Sequence, residues 1–514
     1  MRCFFGCPVV YLKVFIRKKK NRSGTICVQI IDKSSGRYKV IKTFGSSSNQ
    51  ETIDKYYKQA QEAIPRLFDQ LYLFDKPPPL IDLQELSNDN IRIVGPELIF
   101  GRIFDFIGFN KIPDQLFKDL AISRITHPGS KLKLAEYLRE NNKRELSVDS
   151  IYYFLDKLNK KYKHQIEDIS FAYTQRLLGG KIGIVFYDMT TIYFESSKPD
   201  DFRMTGFSKD GKHQHPQIFL GLLIGKNGYP IGYDVFEGNI YEGHTLIPVL
   251  ERFENRFLLE KPIVVADAGL LSNKNIEALK KNHYEFILGA RIKSESEEIK
   301  KNIVGLNFNN SQIYKINKND QTVLFLSYSS KRAIKDQANR NRGLKRLQKS
   351  LNTGKLTKSN INNRGYNKYL KMKGELKIEI DYDKFQADAK WDGLKGYITN
   401  TSLSGSEVID SYNNLWKIEK AFRISKTDLK IRPIYHRLRE RIEAHICISF
   451  VSYVLYKELE RVLSIDSNIS INKAINEIKK MYEIYIPTNN SYRSIKLKNN
   501  PIQKQILEAI QSYF

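Results

Sequence analysis

The sequence predicts a protein of the mixed α/β class, with a central α/β core that is interrupted by a basic β-rich insertion. Strand-like apolar runs alternate with amphipathic helical patterns between residues 166 and 291. The alternation stops from residue 292 to 395 and resumes after 396. The first 165 residues begin with β-rich runs and continue with helical ones, which predicts a small β-rich module and a helical module before the core.

These patterns divide the chain into six predicted parts. They are a β-rich module with a helix (1–85), a helical module (86–165), the first part of the core (166–291), the β-rich basic insertion (292–395), the second part of the core (396–460) and a helical C-terminal region (461–514).

The net charge indicates the class of partner. The 514 residues include 84 Lys and Arg against 57 Asp and Glu, a formal net charge of +27, which implies a polyanion or an anionic membrane surface. The longest apolar run, at 446–456, is shorter than the roughly 20 residues that span a bilayer. The N-terminus is apolar first and basic after, the reverse of a secretory signal. We expect a cytoplasmic protein that acts on nucleic acid, with no membrane partner.

The N-terminal module shows the signals of hairpins followed by a helix. Three runs rich in β-branched and aromatic residues lie within residues 9–45, separated by the turn sequences RKKKNRSG and KSSG. A helix is predicted over 49–71, and the sequence DKPPPLID predicts a linker after it. The basic hairpin loop Arg17 to Arg22 fits a solvated turn and a DNA contact equally well.

The helical module contains three amphipathic segments, GPELIFGRIFDFIGF, SKLKLAEYLRE and SVDSIYYFLDKLNKKY. Ser147 is the predicted N-cap of the third. Nothing here identifies a recognition helix, so DNA binding, dimerisation and plain scaffolding stay open.

Two aspartates stand out in the first part of the core. Asp188 lies in the middle of the predicted strand KIGIVFYDMTTIYFES, where a carboxylate among apolar residues needs a cation. A hairpin around Gly225–Gly228 and a helix from His244 follow. Asp267 ends the apolar strand KPIVVAD, and the carboxyl ends of strands hold ligands in open α/β sheets. The alternative for Asp267 is that it caps the following helix.

The predicted insertion holds short strands around a strongly basic stretch. Its cations are Lys331, Arg332, Lys335, Arg340, Arg342, Lys345, Arg346 and Lys349. The core then resumes with a strand and a helix for which Ser404 and Glu407 form a capping-box pattern.

A glutamate lies within an aromatic face in the segment SYNNLWKIEKAFRISK, residues 411–426. On one continuous helix, the residues that share this face are Tyr412, Leu415, Trp416, Glu419, Phe422, Arg423 and Lys426. Burying Glu419 there costs several kcal/mol unless a cation compensates it. The alternative is a surface ion pair with Arg423, which stabilises by about 0.3 to 0.5 kcal/mol.

Three carboxylates, Asp188, Asp267 and Glu419, therefore follow one another through the predicted core. Converging carboxylates suit Mg²⁺, and two such ions can hold the attacking and leaving oxygens of a phosphoryl displacement. A basic protein with this set is a candidate polynucleotidyl transferase or nuclease.

The sequence resembles the DDE transposases of bacterial insertion sequences, in particular the family-four group with the signature Y-x2-R-x3-E-x6-K. Tyr412, Glu419 and Lys426 fit that spacing, and Leu415 stands where the family has Arg. YDMTT with Asp188 and VVADAGLLS with Asp267 resemble the other two motifs, and RPIYHRLRERIEAHICISF resembles the downstream segment. The resemblance covers roughly residues 180–460.

The resemblance implies a ribonuclease-H-like fold and a metal-dependent reaction: water cuts DNA at the element's ends, and the freed 3′-hydroxyl attacks target DNA. Asp188, Asp267 and Glu419 would ligate two Mg²⁺ ions, for which Mn²⁺ can substitute. Tyr412 and Lys426 would contact the DNA phosphates, and Arg423 could replace the missing Arg.

The implied partners are double-stranded DNA, namely the terminal inverted repeats and the target, and a second copy of the chain, in the bacterial nucleoid. Two alternatives stay open: a ribonuclease-H-like DNA nuclease without strand transfer, and a non-catalytic DNA-binding protein derived from a transposase.

Four further side chains have two interpretations each. Trp416 and Phe422 are predicted as core, with stacking on a flipped base as the alternative. His213 and His215 lie on a loop, and since Mg²⁺ prefers oxygen ligands, polar loop contacts are expected rather than metal binding.

Overall fold

The computed structural model of the protein describes residues 14–33, 37–71, 87–142, 144–196, 198–257, 260–310, 312–319, 321–373, 377–488 and 491–514. The chain forms two compact units, residues 1–90 with 485–495 and residues 91–484 with 496–514. The predicted strand residues before Val14, most of the turn KSSG and the linker DKPPPLID lie outside the described residues.

The smaller unit contains a three-stranded antiparallel sheet and one helix, as the sequence predicts. Its elements are β1 Val14–Lys20, β2 Ile26–Asp32, β3 Lys39–Ser47 and α1 Gln50–Leu71. Val28 and Ile30 of β2 pack against Ile53 and Ala60 of α1 in its core. The predicted hairpin loop is wrong in its first half, because Arg17 to Lys20 continue strand β1, with Lys20 paired to Ile26.

The helices of the larger unit are α2 Arg102–Ile107, α3 Gln115–Thr126, α4 Lys131–Asn142, α5 Val148–Lys157, α6 Lys163–Leu177, α7 Leu246–Phe257, α8 Asn273–Lys281, α9 Glu297–Val304, α10 Ser330–Asn352, α11 Tyr382–Ala389, α12 Gly405–Asn413, α13 Trp416–Arg423, α14 Arg439–Asp466, α15 Ile471–Ile478 and α16 Pro501–Tyr513. The helical character of the segment after residue 95 is confirmed, and the Ser147 side chain accepts the Ser150 N–H as the N-cap of α5.

The remaining strands are β4 Ile91–Ile93, β5 Ile184–Tyr193, β6 Gln217–Ile224, β7 Pro230–Glu237, β8 Ile263–Ala266, β9 Phe286–Ala290, β10 Ile313–Asn319, β11 Thr322–Tyr328, β12 Leu370–Lys373, β13 Lys377–Ile380, β14 Leu394–Thr399, β15 Tyr482–Thr488 and β16 Ser491–Lys496. Eight of them form one sheet in the order β10-β11-β14-β9-β8-β5-β6-β7. Strands β5, β8 and β9 run parallel, and their other neighbours in the sheet run antiparallel. The predicted mixed α/β class is confirmed.

Side chains of the sheet alternate between two apolar layers. Val185, Tyr187 and Met189 of β5 pack on one face with α7 and α8. Phe186 and Ile192 pack on the other face with α13, α14 and the helices that precede the sheet in sequence. Since side chains in a strand alternate with a period of two, Asp188 lies on the same face as Phe186.

Residues 292–395 contain more helix than the sequence predicted. Strands β10, β11 and β14 belong to the eight-stranded sheet, whereas the basic stretch forms the 23-residue helix α10. The Ser329 side chain caps α10 by accepting the Arg332 N–H, and Lys, Arg, Gln and Leu are good helix formers. The boundaries of an insertion at 292 and 395 stay a prediction.

The predicted single helix over residues 411–426 is wrong. Helix α12 ends at Asn413 and α13 begins at Trp416, so Tyr412 and Glu419 lie on different helices. The capping box of α12 is confirmed, because the Ser404 and Glu407 side chains each accept a hydrogen bond from the other residue's backbone N–H. In the part of the chain that the structure describes, no helix combines the length and the apolar character needed to cross a membrane.

Candidate active site

Asp188 and Asp267 lie next to each other on the sheet. Tyr187 of β5 is in register with Ala266 of β8, and the two strands are parallel, so the residues that follow them lie side by side. Val265 packs in the same apolar layer as Phe186, which places both aspartates on the face of the sheet that α13 contacts. The structure therefore brings these two predicted site residues together.

The Asp188 carboxylate is held in a mostly buried position. Its Oδ1 accepts the Met189 N–H at 2.7 Å. The pKa of Asp188 is raised to about 6, mainly by burial. The positive charge of Lys209 opposes this rise, and the negative charge of Asp267 adds to it. Burial and a like charge both disfavour ionisation, so this carboxylate requires positive charge nearby to stay ionised at neutral pH.

A lysine provides that charge in the structure. Lys209 Nζ lies 3.5 Å from Asp188 Oδ1 and 3.0 Å from Glu242 Oε1, and it donates a 2.6 Å hydrogen bond to the Met189 carbonyl. Neither Lys209 nor Glu242 was among the predicted site residues. The only signal in the sequence is that both lie in loops between the two aspartates, in GFSKDGK and NIYEGH.

Asp267 shapes the turn that follows β8. Its Oδ1 accepts the backbone N–H groups of Gly269 at 2.9 Å and Leu270 at 3.2 Å. Ser272, not Asp267, is the N-cap of α8, since its side chain accepts the Asn275 N–H. The alternative that Asp267 caps this helix is therefore wrong, and its second oxygen is not used in that turn.

Glu419 lies on α13, which contacts strand β5, but on the exposed side of the helix. The buried side of α13 is formed by Ile418, Ala421 and Phe422. Neither the expected burial of Glu419 nor an ion pair with Arg423 is observed among the described residues. The structure thus places the third carboxylate on the helix beside the strand of Asp188. Lys395 is close enough to feel its charge: burial lowers the pKa of Lys395, and Glu419 raises it.

Tyr412 is buried beside the aspartates. It is 9% exposed, and a Cβ at Gly289 would collide with its hydroxyl. Lys395 Nζ lies 4.4 Å from the centre of its ring. Burial and the charge of Asp267 raise the pKa of Tyr412, so its hydroxyl stays protonated.

Lys426 lies near the same loop as Lys209. Its Nζ is 3.1 Å from Asp210 Oδ2, and Arg432 contacts the same oxygen. Burial lowers the pKa of Lys426, and Asp210 raises it. Arg423, the suggested replacement for the missing Arg, is exposed.

Of the remaining interpretations of the sequence, three are confirmed and one is wrong. Phe422 is buried, as predicted, but Trp416 is 53% exposed, so its assignment to the core is wrong. This follows from the break between α12 and α13, which turns Trp416 outward. His213 Nδ1 accepts the Ser208 N–H at 3.1 Å and His215 Nδ1 lies 3.2 Å from the Phe194 carbonyl, which confirms polar loop contacts for both.

The side chains around Asp188 fit a hard cation by their chemistry. Carboxylate oxygens are the ligands that Mg²⁺ prefers, and Glu242 Oε1 is buried without a well-directed hydrogen bond although Lys209 lies close to it. Across the described ranges, no three His, Cys, Asp or Glu side chains are gathered closely enough to hold an ion. Lys209 occupies the position where a positive charge is needed.

Comparison with known proteins decides the family. The model of the transposase DDE domain matches residues 179–455, more than half of the chain. The chain belongs to this family. The matched segment of this DDE transposase includes Asp188, Asp267 and Glu419, and DDE transposase domains generally use divalent metal ions.

Similarity outside the family model is distant. No curated protein matches the sequence. One solved structure that the transposase resembles is the cryo-EM structure of a piggyBac transposase synaptic complex with hairpin DNA, with 10% identity and a TM-score of 0.38 over 74% of this chain and 70% of that one.

Proposed function

We propose that this transposase cuts the ends of a bacterial insertion sequence by metal-dependent hydrolysis and joins the freed 3′-hydroxyl ends to target DNA. The observation that supports the proposal is the placement of Asp188 beside Asp267 on adjacent parallel strands, within the segment that matches the DDE domain. The reaction centre is the ribonuclease-H-like core formed by the central sheet with helices α12 and α13.

Asp188, Asp267 and Glu419 would hold two Mg²⁺ ions, with Mn²⁺ able to substitute. When bound, such ions stabilise the charge that develops on the attacking and leaving oxygens of an in-line displacement. Before that, Lys209 balances the charge of Asp188 and Glu242. Glu419 is exposed and forms no ion pair within 4 Å among the described residues, so metal binding would require its side chain to turn from Lys395 toward the aspartates.

The remaining site residues would bind and orient DNA. Lys426 would release its hydrogen bond to Asp210 and bind a DNA phosphate instead. Arg423 would add an exposed positive charge to the same segment. Tyr412, which is buried beside Asp267, would position that carboxylate, and its hydroxyl would contact a DNA phosphate. The exposed ring of Trp416 offers a surface on which a base can stack.

The proposed partners are the two terminal inverted repeats, the target duplex and a second copy of the chain, so that a dimer holds both ends. The net charge of +27 suits a DNA polyanion and predicts binding that weakens steeply with salt. We place this activity in the bacterial cytoplasm, at the nucleoid.

The test uses the DNA that flanks the gene, from which terminal inverted repeats can be identified and synthesised. The purified protein, labelled ends and a supercoiled plasmid are incubated with Mg²⁺ or Mn²⁺, and cleaved and joined products are measured. We expect Asp188→Asn and Glu419→Gln to lower both products by at least about 1,000-fold, since each removes a metal ligand worth several kcal/mol in the transition state. Binding of the ends should persist.

Two exposed acidic residues provide matched controls, Asp201→Asn and Glu440→Gln, which should keep both reactions. Cleavage without joining would identify a nuclease. Binding without cleavage under either metal would identify a non-catalytic DNA-binding protein. Cleavage by either site variant at the parental rate would remove that residue from the metal site.

A further inference from the structure

A second group of charged residues lies buried in the larger unit, away from the aspartates. Arg124 at the end of α3, Lys131 at the start of α4, and His436 and His445 are each between 6% and 9% exposed. The imidazole rings of His436 and His445 are 5.4 Å apart. Four cationic or potentially cationic side chains therefore share one buried region.

His445 fixes the orientation of Arg124. A guanidinium N–H can only donate, so His445 Nδ1 must be the acceptor in its 3.2 Å contact with Arg124 Nη2. His445 Nε2 then carries the proton, and this N–H donates a 3.0 Å hydrogen bond to the Ile431 carbonyl. His445 is neutral in this arrangement. Arg124 uses one more N–H on the Lys430 carbonyl, which leaves other donors of its five available.

Lys131 is the unusual member of the group. Within the described residues its ammonium has no hydrogen bond or ion pair, although the side chain is only 8% exposed. It also stands in the first turn of α4, where the helix dipole is positive and a cation is unfavourable. Burial and the neighbouring charge of Arg124 hold the pKa of Lys131 well below its usual value, so a compensating negative charge must come close for Lys131 to be ionised.

No carboxylate in the described part of the chain supplies it. The acid that acts on this group is Asp156, through His436, and both of its oxygens are held by Arg441 at 2.8 Å. A cavity of ≈ 620 Å³ reaches the group at His436. Its lining carries the cations Lys198, Arg203 and Arg437 and one carboxylate, Glu195, and Arg203 is paired with Asp200 at 2.7 Å. An anion can approach from this side, where Lys198 and Arg437 outnumber Glu195.

We propose that Arg124, Lys131 and His436 form a binding site for a phosphate-class oxyanion, either free or in a DNA backbone. The free donors of Arg124 and the ammonium of Lys131 bind the oxygens, His436 stands at the entrance, and His445 is the positioning residue that orients Arg124. The site does not depend on the proposed transposition chemistry, because it contains none of the residues assigned to that reaction.

Thermal unfolding of the full-length protein in potassium phosphate, compared with potassium chloride of equal ionic strength, tests the site. Binding to the folded state stabilises it, so we expect phosphate to raise the Tm by about 2 °C or more at saturating concentration. Lys131→Met should raise the Tm in chloride, since it removes a buried amine that has no hydrogen bond or ion pair among the described residues, and should lose the response to phosphate. Lys133→Met, an exposed lysine on the same helix, should respond as the parent protein does.

The source of the oxyanion follows from DNA binding measured at several salt concentrations. If the site holds a DNA phosphate, Lys131→Met lowers the slope of log K against log salt by about 0.9, the value for one phosphate contact. If it holds free phosphate, that slope stays unchanged while the Tm response is lost. The proposal is overturned if the parent protein shows neither a phosphate response nor a slope difference from Lys131→Met, or if Lys131→Met responds to phosphate as fully as Lys133→Met does.

Discussion

Two groups of buried charge in the larger unit differ in how their charge is balanced. Around Asp188, carboxylates surround one ammonium, that of Lys209. Around Arg124, basic side chains gather, and Lys131 has neither a hydrogen bond nor an ion pair among the described residues, so burial and Arg124 lower its pKa. The first group is neutralised from within the chain, whereas the second needs charge from outside.

The difference teaches how each group can respond to a ligand. A carboxylate cluster that already holds a lysine can exchange that lysine for a metal ion, because the ion replaces a charge that is already tolerated there. A cation cluster without an acid has no such internal substitute. The stability of the basic cluster should therefore rise with the anion concentration. The stability of the acidic cluster should depend on whether Lys209 or a metal ion provides the positive charge.

The largest expected effect comes from removing the internal counter-charge of the acidic cluster, which leaves its charge unbalanced as in the basic cluster. Lys209→Met removes the only ammonium within 4 Å of Asp188 among the described residues, so repulsion between the carboxylates is no longer compensated. We expect the metal-free protein to lose about 2 kcal/mol of unfolding free energy, less than for a fully buried pair because Lys209 is partly exposed. Urea unfolding measures this loss.

Added Mg²⁺ or Mn²⁺ should recover more stability in Lys209→Met than in the parent, since the ion no longer competes with an ammonium. Lys212→Met is the matched control. Lys212 lies in the same loop as Lys209, but its ammonium lies over the Tyr193 ring and not beside the aspartates. A variant that is as stable as the parent without metal would show that Lys209 does not balance this cluster.

A smaller effect is expected from Lys426, which is paired with Asp210 in the structure. Lys426→Met should weaken binding of the terminal DNA by about tenfold and lower the salt slope by about 0.9, as for one lost phosphate contact. Fluorescence anisotropy at several salt concentrations measures both. Lys420→Met is the control, since Lys420 pairs with Glu460 at 2.6 Å. Equal behaviour of the two variants would remove Lys426 from the DNA contact.

The parts of the site that could be predicted from the sequence depend on short-range patterns. The strand containing Asp188 and the strand that ends at Asp267 are marked by their own apolar residues, and parallel pairing then places their ends together. The three-stranded sheet, the hairpin around Gly225–Gly228 and the capping box of α12 were confirmed for the same reason. Each depends on neighbouring segments of the chain, and the most distant paired residues are Ile26 with Ser47 and Ile218 with Glu237.

The parts that could not be predicted depend on contacts between distant residues or on a single backbone break. The turn between Asn413 and Trp416 leaves no mark in the helical periodicity, yet it exposes Trp416 and Glu419. Lys209 is a residue in a polar loop until the fold places it beside Asp188. Arg124 and His445 are 321 positions apart, so no local pattern could reveal that they share a buried site.

The smallest expected effect concerns Asp156, the carboxylate at the border of the basic cluster. Its two hydrogen bonds to Arg441 lower its pKa, so the stability they provide is present above the unfolded value near 4 and is lost as the pH falls through the lower folded value. Asp156→Asn should cost about 0.5 kcal/mol at pH 7 and low salt, because both partners are about one-third exposed and screened. The difference from the parent should shrink below about pH 4 and at high salt. Glu140→Gln on α4 is the control, because this exposed acid forms no ion pair among the described residues. A larger loss in Asp156→Asn that persists in salt would mean that Asp156 compensates the buried cations directly.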